Sequence, residues 1–326
     1  MQESVSQLSF IIVNWNGGNL LRRAIESILA YPPNVSYDIV VVDNASTDES
    51  IAWLKSSELK RQLHPVKLIL IENADNVGFG QANNQGFAAT RAPFLFLLNS
   101  DAELRPGTCD TMIRTLESNE RIGACGPRLI NPDGSLQISV WRNPPTAWAT
   151  LVSGLRLYKL LPRRLRGELL LAEFWGHDRR RDVNMLSGAA ILARRKMIDE
   201  VGGFDARFHM YGEDNEWCLR ILRAGWRIVF EPDAVVMHHG GHSSERRWTE
   251  LEKLRVQVSA LFLFQKHCLP RRQVMTNLLA SIMLLSLQRA LRRLSKRPYA
   301  DIELSLELHI EAFKNTLRNH KYADSL

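Results

Sequence analysis

The chain has 326 residues, 45% of them hydrophobic, and a formal net charge of +7 at pH 7. That length leaves room for two domains of about 150 residues each, and that apolar share is enough to bury a core, which excludes a disordered chain. The basic balance favours anionic partners such as phosphates, nucleic acid or a membrane surface.

The four cysteines, Cys109, Cys125, Cys218 and Cys268, show no C-x-x-C spacing. They read as core thiols of a reducing compartment. The MQESVSQLSF start has neither the basic opening nor the apolar stretch of a signal peptide. No run reaches the ~20 apolar residues that span a bilayer. The expectation is a cytoplasmic chain.

SFIIVNW (9–15) is a short apolar strand ending in polar residues and Gly17-Gly18. NLLRRAIESILAY (19–31) has helical spacing and is closed by Pro32-Pro33. YDIVVVDNAS (37–46) is a second strand, TDESIAWLKSSEL (47–59) a helix with Thr47 as its N-cap, and VKLILIEN (66–73) a third strand. A helix over 80–90 precedes a fourth strand, FLFLLN (94–99). Unbroken apolar strands alternating with helices predict a parallel sheet covered on both faces. Ligands of such sheets sit beyond the carboxyl ends of the strands. Each of these strands hands over to amides or carboxylates: Asn14 and Asn16, Asp43 and Asn44, Glu72 and Asn73, then Asn99, Ser100 and Asp101. Run parallel, they bring those groups to one rim.

Further on, NPDGSLQ (131–137) is a hairpin-like turn, and the stretch 156–181 carries Arg156, Arg163, Arg164, Arg166, Arg179, Arg180 and Arg181. MLSGAAILARRKMIDEVGGFD (185–205) reads as strand, helix and Gly-Gly turn; 213–226 as a helix; 227–241 as two short strands. Residues 251–298 hold ten Lys or Arg against a single acid, Glu252, with no charge between Val274 and Leu287. That pattern is a basic amphipathic helix suited to an anionic membrane surface, or one that packs on protein.

Asp101 and Glu103 form a D-x-E pair able to hold Mg²⁺ or Mn²⁺. Taken alone, the pair is better explained as a solvated strand-end turn, since such pairs are common. Asp43 accepts from ribose or base in one reading and makes an Asx turn in the other. Asn76, Gly78 and Asn83, in NVGFGQANNQG, belong to a glycine loop that opens a helix and whose N–H groups suit phosphate or sugar. No G-x-G-x-x-G or P-loop pattern is present, which disfavours dehydrogenases and P-loop NTPases. Glu213, Asp214 and Glu216 suit the start of a helix dipole; the functional reading is a general base. His238, His239 and His242 follow, any of which can complete a metal site.

Eight segments in order resemble the inverting family-2 glycosyltransferases of GT-A fold, in the rhamnosyltransferase-like branch of bacterial polysaccharide assembly. They are IIVNWNG (11–17), VVVDNASTDES (40–50), NVGFGQANNQG (76–86), LLNSDAEL (97–104), GPRLINPDGSLQ (126–137), LSGAAILARR (186–195), GGFDARFHMYGEDNEWCLRILRAGW (202–226) and HHGGHS (238–243). The resemblance implies a mostly parallel central sheet flanked by helices. It implies a GT-A catalytic domain over 1–245, with a nucleotide-sugar half (1–104) and an acceptor half (105–245), then a basic helical extension over 246–326. It implies transfer of a sugar from a nucleotide-diphosphate donor, a UDP- or dTDP-sugar such as dTDP-rhamnose, to a hydroxyl of a glycan or polyprenyl-diphosphate-linked acceptor.

By the same resemblance Asp214 matches the catalytic base, Asp43 the acid that meets the nucleoside, and Asp101 the last acid of the family's D-x-D motif. Asn99 stands at the first position of that motif, where an aspartate is usual, so the metal would rest on Asp101 with help from Glu103 or His239. Val13, Asn14, Asn16, Asn44, Asn76, Gly78, Asn83, Ser100, Gly188 and Glu213 are the remaining expected donor contacts. The competing classes are a nucleotidyltransferase, whose extended basic signature the IIVNWNGGNLLRR stretch lacks, and a non-catalytic basic binding module. The acids on the strand rim argue against nucleic acid as a partner.

Overall fold

The computed structural model describes residues 5–140, 146–162, 165–166, 175–240 and 249–318. They form two compact units. The first comprises residues 1–141 and 176–243, the second 142–175 and 244–326. Residues 142–175 group with the C-terminal helices, so this division is discontinuous in sequence.

The first unit is built on a ten-stranded mixed sheet. Strands β1 (Leu8–Asn14), β2 (Tyr37–Asp43), β3 (Lys67–Glu72) and β4 (Phe94–Leu98) are mutually parallel in the order β3-β2-β1-β4. The register sets Asn14 against Asp43 and Asp43 against Glu72, so the strand ends share one rim. Strands β1 and β2 are buried on both faces, which is why their sequences do not alternate. Helix α1 (Gly18–Ala30) buries Leu21, Ala24, Ile25 and Ile28 at helical spacing and stops before Pro32-Pro33.

The predicted helix 47–59 is two helices, α2 (Ser50–Leu54) and α3 (Ser57–Leu63). Ser56 is extended, and its hydroxyl accepts from Leu59 N at 3.2 Å, so a new N-cap restarts the chain. Thr47 is not a cap; its N–H donates to Asn16 Oδ1 at 2.7 Å. Helix α4 (Phe79–Ala88) follows β3.

Strand β5 (Ala102–Leu104) leaves the rim, and α5 (Thr108–Glu117) leads to β6 (Ile122–Ile130). The turn at 131–135 returns β7 (Leu136–Gln137) onto β6, with Gln137 opposite Leu129. Strand β8 (Arg181–Asp182) pairs at the edge, and β9 (Ala190–Arg194) runs antiparallel between β4 and β6. Helices α7 (Arg195–Val201) and α8 (Glu213–Arg223) precede β10.

The two strands expected over 227–241 are one, β10 (Arg227–His238), with an irregularity between Glu231 and Val235. Pro232 has no N–H to give the ladder there. The buried Glu231 carboxylate is held by Thr115 Oγ1 at 2.8 Å and by Arg180 Nε at 2.5 Å. All four cysteines are buried free thiols.

The second unit contains α6 (Ala147–Gly154), a 3₁₀ turn over Leu157–Leu160, α9 (Glu250–Cys268), α10 (Arg271–Leu294) and α11 (Ala300–Arg318). The basic stretch 251–298 is therefore not one helix, because Leu269-Pro270 breaks it. Helix α10 also corrects the expectation about spans. Its best 18-residue window has a mean hydropathy of 1.4, long and apolar enough to cross a membrane by length and composition alone. Of the arginine cluster, Arg156 and Arg166 fall in the second unit, and Arg179, Arg180 and Arg181 in the first. Arg163, Arg164 and His242 lie outside the described residues.

Candidate active site

At the β1 and β2 ends, Asn14 Nδ2 donates to Asp43 Oδ1 at 2.7 Å and to Ser46 Oγ at 3.0 Å. Asp43 also accepts from the Ser46 hydroxyl at 2.6 Å and, through Oδ2, from Ser46 N at 2.9 Å. It is 2% exposed. The carboxylate fixes the loop expected to receive a nucleoside, with the bonds of an Asx turn. Asn16, at φ 52°, accepts from Thr47 and donates its N–H to Ser46 Oγ at 2.8 Å. Val13 lies one residue inside this corner and is half-buried.

Asn44 Nδ2 donates to Gly78 O at 3.3 Å, and Asn44 Oδ1 accepts from Asn73 at 2.9 Å. Asn76 Oδ1 accepts from Gly78 N at 3.0 Å, and Asn83 Nδ2 donates to Phe79 O at 3.0 Å. Gly78 sits at φ 88°, and a Cβ there would lie 2.6 Å from His209 O, so the position needs glycine twice over. Each of these loop residues has partners inside the protein, and together they pack the glycine loop against the segment before α8.

At the end of β4, Asn99 N donates to Ala189 O at 3.0 Å, and His239 N donates to Asp101 O at 3.0 Å. Ser100 is half-buried between them. The His238 ring faces this turn. Its Nε2 is 3.1 Å from Asp101 Oδ1 and 3.3 Å from Asn99 Nδ2. On the far side, His238 Nδ1 is 2.7 Å from Gln137 Oε1. Gln137 Nε2 donates to Asn131 Oδ1 at 2.9 Å and to His238 O at 3.2 Å, which fixes Oε1 as the acceptor. This assignment puts a proton on Nδ1 and leaves Nε2 facing Asp101. Burial alone would raise the Asp101 carboxyl; a hydrogen bond donated by His238 and the charge of that ring when Nε2 also carries a proton, with further pulls from the backbone and His239, hold it below the usual range, and loss of that proton frees the Nε2 lone pair. Asn99 Oδ1 is buried with no hydrogen-bond partner among the described residues.

Two acceptors and an orphaned amide oxygen at one point are a donor set for a cation. A divalent ion fits Asp101, His238 and Asn99, although no group of three or more His, Cys, Asp or Glu gathers there among the described residues. The expected helpers Glu103 and His239 are engaged elsewhere. Glu103 Oε1 meets His239 Nε2 at 2.9 Å and Arg23 Nε at 2.7 Å. His238, not His239, is the ring beside Asp101.

Helix α8 delivers the acids. Its start is pinned by Arg220, which pairs with Glu216 at 2.5 Å and donates to Val201 O and Gly203 O, and by Trp217 Nε1 donating to Gly202 O at 2.9 Å. Asp214 Oδ1 accepts from Asn215 N at 2.8 Å and Asn215 Nδ2 at 3.1 Å. Asp214 Oδ2 accepts from Gly188 N at 3.3 Å. The next residue, Ala189, accepts from Asn99 N, so a single dipeptide ties Asp214 to the turn that carries Asp101. A Cβ on Gly188 would lie 3.3 Å from the Phe79 ring and 3.8 Å from Asp214 Cβ, which leaves the glycine as the tight contact among these parts.

Burial, with the Asp214 charge second, pushes the Glu213 carboxyl up to about 8. Burial also raises Asp214, against the pull of its N–H donors. Glu213 Oε2 is buried without a partner among the described residues. A pair of adjacent carboxyls that cannot both ionise freely keeps its proton on the group with fewer donors, here Glu213, and leaves Asp214 as the half-buried carboxylate. Such a carboxylate can accept a proton from a hydroxyl, while the Asp101 end can meet an anionic leaving group.

Three residues of this site were not singled out from sequence: Gln137, which orients His238; Ser46, which brackets Asp43; and Asn84, which exchanges two hydrogen bonds with Phe204 at 2.7 and 2.8 Å. The NPDGS turn signal, extended by two residues of pairing to Leu136 and Gln137, is what could have found Gln137.

Comparison with known proteins gives a consistent result. Glycosyl transferase family 2 matches residues 9–201, and Glycosyl transferase family 21 matches residues 177–295. An N-acetylglucosaminyl-diphospho-decaprenol L-rhamnosyltransferase of Mycobacterium tuberculosis is 28% identical over 327 residues, covering 91% of this chain and 98% of the relative. Among solved structures, a mannosyltransferase of Pyrobaculum calidifontis in complex with GDP-Man and Mn²⁺ aligns with TM-score 0.54 at 16% identity, covering 98% of this chain and 89% of that one. GalNAc-T7 with UDP, GalNAc and Mn²⁺ aligns with TM-score 0.54 at 17% identity, covering 98% of this chain and 57% of that one. The chain belongs to glycosyl transferase family 2 and has the GT-A fold.

Proposed function

We propose that the chain moves a sugar from a nucleotide-diphosphate donor, a UDP- or dTDP-sugar with dTDP-rhamnose first among them, to a hydroxyl of a lipid-diphosphate-linked glycan, with inversion. The observation that carries this reading is the Gly188-Ala189 link, which holds Asp214 beside the Asn99–Asp101 turn. The acceptor class and the rhamnosyl choice rest on the relative named for decaprenol diphosphate and L-rhamnose. The nucleotide-sugar donor and the four buried free thiols support a cytoplasmic reaction.

In the reaction the acceptor oxygen bonds to the anomeric carbon as the bond from that carbon to the diphosphate oxygen breaks. The hydroxyl proton passes to the Asp214 carboxylate, and the nucleoside diphosphate leaves with the bonding electrons. Single displacement from the face opposite the leaving group inverts the centre. Asp214 is kept ready by its three N–H donors and by Glu213 retaining the shared proton. Asp101, His238 and Asn99 Oδ1 would hold a divalent cation, Mg²⁺ or Mn²⁺, which when bound would supply charge stabilisation for the diphosphate. The glycine loop at Gly78 and the Asn14–Asp43–Ser46 corner keep the donor side rigid, so little rearrangement is needed when charge develops.

The test offers radiolabelled dTDP-rhamnose, UDP-sugars and GDP-sugars to the purified chain, with a polyprenyl-diphosphate-linked N-acetylglucosamine and Mn²⁺ or Mg²⁺. Transfer from one donor, lowered roughly 100- to 10,000-fold in Asp214→Asn at unchanged fold, is the expected result. Wild-type turnover by Asp214→Asn overturns the assignment of the base. No transfer from any donor overturns the substrate class.

A further inference from the structure

Helix α10 packs on its own unit through Val274, Leu278 and Leu284, and a Cβ on Gly154 of α6 would lie 2.0 Å from Leu284, so the two helices meet without a gap. The opposite side of α10 is different. Leu279, Met283, Leu287, Leu291 and Leu294 are 46–82% exposed. Spacings of four, four, four and three put all five on one face. An exposed apolar stripe of this length is uncommon on a protein that stays in water.

The charge around the stripe says what covers it. No charged residue lies between Arg272 and Arg289, and basic residues close both ends: Arg271 and Arg272 before it, Arg289, Arg292, Arg293, Lys296 and Arg297 at and after its far end. Arg292 is paired with Asp301 at 3.0 Å and Arg289 lies 3.9 Å from Glu303, but Arg272, Arg293, Lys296 and Arg297 have no acidic partner among the described residues. A second copy of the chain would fit poorly. Laid antiparallel on itself, the stripe sets Arg271 and Arg272 against Arg293 to Arg297; laid parallel, it sets like against like. Length and composition alone would also allow a span, but two observations weigh against one. The charge-free stretch from Gln273 to Gln288 covers only about 24 Å of helix, short of the ~30 Å hydrocarbon core. The inner face of the helix is also occupied, with buried Asn277 donating to Gln265 Oε1 at 3.4 Å.

We infer that the Leu279–Leu294 face of α10 docks the chain flat on an anionic lipid bilayer, its leucines and Met283 in the headgroup–acyl boundary and its flanking cations on lipid phosphates. Trp148 on α6 and Leu160 after it are also exposed in this unit. The inference deepens the lipid-linked acceptor reading and rests on it for its purpose, not for its chemistry.

The test is co-sedimentation of the full chain with vesicles of phosphatidylcholine alone and of phosphatidylcholine with equal phosphatidylglycerol, at low and high salt. Binding to the anionic vesicles, released by salt, is expected. Arg293→Gln with Lys296→Gln and Arg297→Gln is expected to weaken it roughly 100-fold, since each cation near an anionic surface contributes about fivefold. Met283→Asp with Leu287→Asp is expected to weaken it at least about tenfold. All five positions are exposed, and an unchanged circular dichroism spectrum and melting temperature exclude misfolding as the cause. Equal binding to neutral vesicles, wild-type binding by either variant, or a dimer that the stripe variant abolishes in place of vesicle binding overturns the proposal. Retention after alkaline carbonate extraction overturns it in favour of a span. Thermal stabilisation by donor nucleotide with Mn²⁺, measured without vesicles, separates failure of docking from failure of the transferase reading.

Discussion

Replacing Glu213 by glutamine keeps the shape of the side chain and removes its titration. A carboxyl that titrates at about 8 in the folded chain, against 4.5 in the unfolded one, binds its proton more tightly when folded. The contribution is fully present below pH 4.5, declines as pH rises, and is gone above about 8. At ~1.4 kcal/mol per pH unit its full size is about 5 kcal/mol, an upper value because water that reaches Asp214 also screens Glu213. The Glu213→Gln protein has a neutral amide at every pH and lacks this dependence. Relative to Glu213→Gln, wild type is therefore expected to lose on the order of 3–5 kcal/mol of unfolding free energy between about pH 5 and about pH 8.5. Equilibrium urea unfolding of both proteins at the two pH values reads it directly. A constant gap between the two would mean that Glu213 is ionised in the folded chain. The proton-sharing picture of the pair would then be wrong.

Three further outcomes are expected. Because burial raises Asp214, transfer should fall on the acid side at a pH above the ordinary aspartate range, read from kcat/KM against pH; an acid limb at that ordinary range would contradict a buried base. Gln137→Leu should weaken Mn²⁺ binding roughly 10- to 100-fold by calorimetry, since the ring it orients loses its fixed tautomer, while Glu103→Gln should change it less than about twofold. Gly78→Ala should lower unfolding free energy by about 1–3 kcal/mol, through the φ of 88° and the approach to His209 O, and an unchanged melting temperature would show that the loop relaxes at no cost.

Much of the rim was readable before the fold. Strands that are apolar on both faces declare a covered parallel sheet, and Asn14, Asp43 and Asp101 do end at its carboxyl edge. Two kinds of information were hidden. Which of two consecutive histidines meets Asp101 depends on strand register, because neighbours on a strand point to opposite faces; the pairing of His238 with Ala102 decides it. Whether a carboxylate faces a ligand or its own loop depends on partners three residues away. Ser46 claims Asp43, while Asn99 Oδ1 is left without a partner. The break of 47–59 at Ser56 and the fusion of 227–241 into one strand have the same origin, a local cap in one case and long-range pairing in the other.

The helical unit is assembled from an internal loop and the chain terminus, which has a practical outcome for anyone dissecting it. Cutting the polypeptide after Ser243 would strip α10 from α6 and leave Leu151, Val152 and their neighbours facing solvent, a remnant prone to stick. Excision of both segments, with a linker from Trp141 to Gly176, removes the whole unit. Insolubility after the simple C-terminal cut, cured by the double excision, would therefore report on architecture and carry no message about catalysis.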